Sequence, residues 1–293
     1  MSPTTCKSRR SRCDLSAPHA AGIKAAATQQ DPQRAGLQPL TTAMAFIPRS
    51  LVALALTALA VAQTTLTGQY SCYTDGNYEL CNDQWGIDEG TGNQTATFIG
   101  LVDGGDAVSW STTYTWADNE NDVKTYANIL TVNAYGQALS DISEATTAWS
   151  WYYESQSSGL RADVSYDIWT GTNDATAPPT STTDYEIMIW LSGLGGIQPV
   201  GSSIVTGISL EGYDWDLWYG PNSGWDTYSF IPATSGDSIT DFSASLVPFF
   251  TYLSDNGYVA ETQVLQAVQT GTEAFTGSAE LVTSSFSLTV TFD

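Results

Sequence analysis

Histidine is all but missing from this chain of 293 residues: the one copy is His19, inside an N-terminal stretch that reads unlike the rest. Without imidazole, residues 63–293 cannot run a Ser–His–Asp or Cys–His mechanism, and histidine cannot serve there as metal ligand or proton shuttle. Basic residues are scarce as well. Nine Lys and Arg stand against 31 Asp and Glu, a formal net charge of −22. Such a surface repels phosphate backbones and anionic lipid, which excludes nucleic acid and membrane as partners. Long apolar runs are absent too. The most apolar stretch, within residues 51–62, falls short of the ~20 residues that a bilayer span needs. What remains for chemistry is carboxylate, phenol and hydroxyl.

That apolar stretch has its own meaning. Residues 2–43 are rich in Ser, Ala, Gln and Arg without apolar periodicity. Met44 to Arg49, with one Arg, precedes an apolar Leu51–Ala60 and the small-residue end Leu59-Ala60-Val61-Ala62. This is the layout of a secretory signal. The expected organisation is an unstructured upstream extension over 1–43, a signal peptide over 44–62, and a single secreted domain over 63–293. Without the leader only Lys124 and Arg161 remain as cations against 29 acids, a net charge of −27. All ten Trp and fifteen Tyr fall in 63–293, enough for a core that a disordered acidic chain lacks. Cys72 and Cys81, nine apart, read as one disulfide across a hairpin rather than as a zinc site.

The domain reads as short alternating strands between Gly, Asn, Asp and Ser clusters. Val108, Trp110, Thr112, Tyr114 and Trp116 share a face, as do Trp149, Trp151 and Tyr153. Ala162, Val164, Tyr166 and Ile168 alternate with Asp163, Ser165, Asp167 and Trp169. A final strand over 284–293 aligns Phe286, Leu288, Val290 and Phe292. One helix is expected over about 246–255, with Pro248 in its first turn and Asn256-Gly257 as its stop. Many strands and one helix predict an all-β jelly-roll sandwich.

The stretch Asp184-Tyr-Glu-Ile-Met-Ile-Trp-Leu-Ser192 carries the functional signal. Tyr185, Ile187, Ile189 and Leu191 face the core, so Glu186, Met188 and Trp190 face the other way. A carboxylate beside a flat aromatic suits a groove that binds and cleaves sugar. A retaining glycosidase needs two carboxylates about 5–5.5 Å apart. The second candidate is Glu273 in Thr270-Gly-Thr-Glu-Ala-Phe-Thr-Gly-Ser278, with Glu280 as a decoy in a more ordinary setting.

At these residues the chain resembles glycoside hydrolase family 12, small secreted endoglucanases and xyloglucanases. The resemblance runs through Asn82-Asp-Gln-Trp-Gly86, Asp122–Asn128, Arg161–Asp167, Asp184–Leu191, Pro199-Val-Gly-Ser202, Trp218-Tyr-Gly220, Phe249–Leu253 and Gly271–Gly277. It implies two curved antiparallel sheets with an open, concave substrate cleft. It implies Glu186 as nucleophile, Glu273 as general acid/base and Asp167 as support for the nucleophile. It also implies a substrate surface drawn from Trp85, Trp190, Met188, Asn82, Asn222 and Pro199. Departures include Asp83-Gln84 before Trp85, and Ala274 where relatives often carry Pro.

The expected function is a secreted, monomeric, endo-acting retaining hydrolase of β-1,4-glucans, cellulose and mixed-linkage β-glucan, with no cofactor and no metal. Xyloglucan is the alternative polysaccharide. A non-catalytic carbohydrate-binding jelly roll is the alternative of another class; it would keep the aromatic face without needing both Glu186 and Glu273.

Overall fold

The computed structural model describes residues 63–174 and 178–293. The expected extension and signal peptide lie outside the described residues.

Two sheets form the domain, and every strand but one belongs to a single sheet. The larger has the order β2 (Cys72–Asp75), β3 (Tyr78–Cys81), β6 (Thr125–Thr131), β14 (Val264–Phe292), β8 (Arg161–Gly171), β9 (Thr183–Leu194), β12 (Trp225–Pro232), β11 (Tyr213–Asn222) and β10 (Ser202–Leu210). The smaller has the order β1 (Thr64–Leu66), β4 (Thr91–Val102), β5 (Ala107–Ala117), the same β14, β7 (Ile142–Gln156) and β13 (Asp241–Ser245). The sequence reading set Glu273 in a segment separate from the final strand. Instead β14 is continuous over 29 residues, pairing with β6 and β8 up to Thr276 and with β5 and β7 from Gly277 onward. The bend falls at Gly277, whose φ of 113° favours glycine and whose missing Cβ would meet Leu160 Cα at 3.1 Å.

Side-chain alternation decides the layers. Trp110, Trp149, Tyr166, Ile168, Ile187, Ile189, Leu191, Leu217 and Phe286 are buried together between the sheets. Trp149 meets Tyr166 edge-on with ring centroids 5.3 Å apart, and Phe242 meets Tyr166 at 5.8 Å. The larger sheet outruns the smaller, and the helix α1 (Val247–Asp255) covers the surplus. Pro248 opens it, Phe249, Phe250 and Leu253 are buried, and Phe249 packs on Trp215 of β11 and Phe230 of β12 at 5.5 and 5.1 Å. Cys72 and Cys81 face each other across the β2–β3 hairpin and are disulfide-bonded.

Strand pairs are antiparallel except β9–β12, which run parallel. After β9 the chain crosses the outer face to the far edge as residues 195–201, seating Ile197 on Met188 and Trp190. It then returns through β10 and β11, so β12 arrives beside β9 pointing the same way. That crossing closes one end of the outer face, and the parallel register sets Thr227 directly beside Glu186.

Candidate active site

The outer face of the larger sheet is the concave side, and it is lined with carboxyl groups. From β8 come Asp163 and Asp167, from β9 Glu186, and from β14 Glu273. In strand order they fall between two depressions. One, of about 430 Å³, is bounded by Tyr70, Asp83, Asn128, Leu130 and Gln269. The other, of about 300 Å³, is bounded by Trp190, Gln198, Asp216 and Trp218.

Glu186 is held firmly. Its Oε2 accepts hydrogen bonds from the Thr227 hydroxyl at 2.6 Å, the Trp225 indole N–H at 3.0 Å and the Asn222 amide at 3.5 Å. Asn222 and Trp225 are paired residues of a tight hairpin closed by Ser223-Gly224, with Ser223 at a φ of 56°. Strain of this kind at a non-glycine residue persists where the surroundings over-determine it. Here the two flanking side chains are both anchored on one carboxylate oxygen. Trp225 also stands edge-on to Trp169 at 5.2 Å. Asp167 lies within hydrogen-bonding reach of Glu186. Burial first, and the Glu186 charge second, drive its carboxyl well above the usual range, so Asp167 keeps the proton between them.

Glu273 reaches the same face from β14, opposite Tyr126 of β6. Its backbone N–H donates to Asp163 Oδ1 at 2.8 Å. Burial, then the charge of Asp163 and a hydrogen bond with it, push the Glu273 carboxyl far up, and Glu186 and Asp167 add to this. A carboxylic acid that stays protonated beside an anchored carboxylate is the pairing that splits acid from nucleophile. Among the described residues the cations are Lys124 and Arg161, and neither neutralises the cluster. The Lys124 ammonium donates to the carbonyls of Asn119 and Asp122. Arg161 donates to the carbonyls of Glu120 and Gly195 and to Asn121 Oδ1.

Several residues are placed differently from the sequence reading. Trp190 was expected as a sugar-stacking or cleft-lining aromatic; it bounds the second depression, but at only 3% exposure, roofed by Ile197 and packed with Met188 and Phe275, it offers no stacking face. Met188 is buried in the same cluster. Asn82 is fully buried, its amide donating to Gly68 O and its carbonyl groups accepting from Gln94. Pro199 is buried within the crossing segment. Trp169 is buried with its indole N–H on Gln269. Trp85 remains as an open aromatic, 53% exposed. Asn222 does reach the site, through Glu186. Glu280 lies in the smaller sheet, opposite Thr113 and Ser155. Sequence reasoning missed Asp163, Trp225 and Thr227 as parts of the site. Asp163 shares a face with Asp167 by alternation, which was the available signal; Trp225 and Thr227 carry none.

Among the described residues one grouping has metal-ligand spacing, Cys72, Glu79 and Cys81, and both its sulfurs are taken up in the disulfide.

Known proteins similar to this chain are numerous. A family model described as Glycosyl hydrolase family 12 matches residues 76–291. Xyloglucan-specific endo-beta-1,4-glucanase A of Aspergillus niger is 38% identical over 246 residues, covering 82% of this chain and 97% of that protein. Endoglucanase A of Aspergillus kawachii is 36% identical over 230 residues, covering 76% and 91%. Among solved structures, the catalytic domain of Humicola grisea Cel12A in complex with a soaked thio cellotetraose superposes with a TM-score of 0.70 at 35% identity, covering 78% of this chain and 99% of that one. Trichoderma harzianum endoglucanase 3 gives 0.71 at 35% identity, covering 78% and 98%.

Proposed function

The chain belongs to glycosyl hydrolase family 12 and is an endo-β-1,4-glucanase, and from that premise we propose that it cleaves by double displacement with retention, Glu186 acting as nucleophile and Glu273 as general acid/base. Glu186 attacks the anomeric carbon through an oxocarbenium-like transition state while protonated Glu273 donates to the departing glycosidic oxygen. Glu273 then takes a proton from the water that releases the glycosyl-enzyme. The observation that carries this reading is the contrast between the two groups. Glu186 is anchored by three donors on one oxygen, whereas burial and neighbouring carboxyls hold the proton on Glu273. Trp85 offers a glucosyl-stacking surface at the cleft.

Xyloglucan is the substrate we favour, because the Aspergillus niger relative is named for it. Unbranched and mixed-linkage β-glucans are the second reading, supported by the thio cellotetraose bound to Humicola grisea Cel12A. The protein acts outside the cell as a monomer in this proposal, which fits a signal peptide at 44–62 and an acidic surface; no helix among the described residues is long and apolar enough to cross a membrane.

The test is the pair of variants Glu186→Gln and Glu273→Gln on tamarind xyloglucan, barley β-glucan and carboxymethyl-cellulose. Each should lose reducing-end release by a factor on the order of 10²–10⁴ or more. Unchanged release from either variant refutes the assignment. The β anomer should appear first by NMR, and the α anomer first would refute retention. A wild-type rate higher on barley β-glucan than on xyloglucan would reverse the substrate preference.

A further inference from the structure

We infer that Asp163 is a positioning residue for the general acid: buried Asp163 and half-buried Glu273 form a carboxyl pair with one proton held between them, and Glu273 can protonate the leaving oxygen only when the pair carries a second proton. This rests on the reading of Glu273 as the acid.

Asp163 is completely buried, yet it is tied to the Glu273 segment from several directions. Its Oδ1 accepts the Glu273 backbone N–H at 2.8 Å and the Ser165 hydroxyl at 3.3 Å. Its main-chain carbonyl accepts the Thr272 hydroxyl at 2.6 Å. Oδ2 is buried without a donor of its own, and the Glu273 carboxyl is the group within reach. The ionisable groups facing the pair are Glu186 from β9, Asp167 from β8, Tyr126 from β6, Tyr114 from β5 and Tyr153 from β7. None of these is a cation, and Lys124 and Arg161 spend their donors on loop oxygens. A buried carboxyl and a half-buried one, side by side without a cation, stay there by keeping a proton.

Both groups are indeed pushed up by burial, Asp163 to about 7 and Glu273 well above its usual range. Their ionisations belong to the pair rather than to either residue. A shared proton stabilises the singly protonated state, so the first proton leaves more easily, and the second less easily, than from a lone carboxyl in the same place. In the singly protonated state the proton points at Asp163. With a second proton present, Glu273 has one free for the glycosidic oxygen. That oxygen takes the electron pair of the breaking bond to the anomeric carbon while Glu186 bonds to the same carbon.

The test uses the full chain with Asp163→Asn. The amide oxygen can still accept the Glu273 N–H, but it cannot share a proton. The alkaline limb of kcat/KM on tamarind xyloglucan should move up by about one pH unit, with the acid limb in place. A limb that stays put or moves down overturns the inference. Carbon-13 carboxyl NMR on the wild type gives a measurement that needs no variant. Asp163 and Glu273 should both report the same two ionisation steps, and one independent step each refutes the shared proton. Glu273→Gln separates the two readings. If it loses polysaccharide cleavage but still releases a burst of dinitrophenolate from a dinitrophenyl cellobioside, the acid assignment stands and the Asp163 results bear on Asp163 alone. If it retains both, the acid assignment has failed first.

Discussion

Asp83 offers a direct measurement of what the acidic cleft costs in stability. Its side chain lines the depression beside Asn128, and its carbonyl accepts the Tyr126 N–H at 2.8 Å. Burial raises its carboxyl from 3.8 to about 6. The sign follows from proton counting. Between those values the unfolded chain has released the Asp83 proton while the folded protein still holds it. Raising the pH therefore favours unfolding across that window, and the loss is complete above about 6. Two units at about 1.36 kcal/mol each give roughly 3 kcal/mol. In a domain of this size each kcal/mol moves Tm by about 2–4 °C, so the Asp83 share is roughly 6–12 °C. Asp163, Asp167 and Glu273 act in the same direction, so wild-type Tm should fall by more than this between about pH 4 and 7. Asp83→Asn removes one group and isolates its share. Its Tm should match wild type near pH 3.5 and exceed it by about 6–12 °C near pH 7. Scanning calorimetry of both proteins across that range decides the matter. Parallel curves, or a wild type that gains stability toward pH 7, would refute the reasoning.

Four further outcomes follow from the same geometry. Trp85→Ala should raise KM about fivefold on xyloglucan with little change in Tm, because an open stacking surface is worth on the order of 1 kcal/mol; Trp190→Ala should instead lower stability by about 3–5 kcal/mol in denaturant melts, because it empties a packed cluster. Trp225→Phe keeps the ring against Trp169 and deletes one donor to Glu186, about 1.5 kcal/mol, so kcat/KM should fall roughly tenfold at unchanged Tm. Replacing both Cys72 and Cys81 by Ser opens a loop of nine residues and should cost about 2–3 kcal/mol by urea titration, with kcat retained.

Much of this architecture could be read from alternation alone. The split of Asp184–Ser192 into a core face and an outward Glu186 follows from the period of two, and the packing of Ile187, Ile189 and Leu191 agrees. Pro248 and Asn256-Gly257 bracket α1 as their local chemistry requires. Alternation assigns a face but says nothing about what lies over that face. Trp190 points outward as expected and is then roofed by residues 195–201, a crossing that depends on where β10 finds an edge to pair with. Trp225 and Thr227 reach Glu186 because β12 runs parallel to β9, a register set by three strands and two hairpins rather than by any local signal. Asp163 looked like one more polar residue in an alternating strand. Its importance comes from β14 lying alongside β8, across a sequence separation of 110 residues.

Strand β14 also bears on how the chain reaches this state. It sits in the middle of both sheets, and its partners β5, β6, β7 and β8 all precede it in the chain. During synthesis those four strands emerge with no central strand to pair with, and each would expose an edge until residues 264–292 arrive. Neither sheet can close early as a stable half-product, so assembly should be late and all-or-none, with loop closure over long separations making it slow.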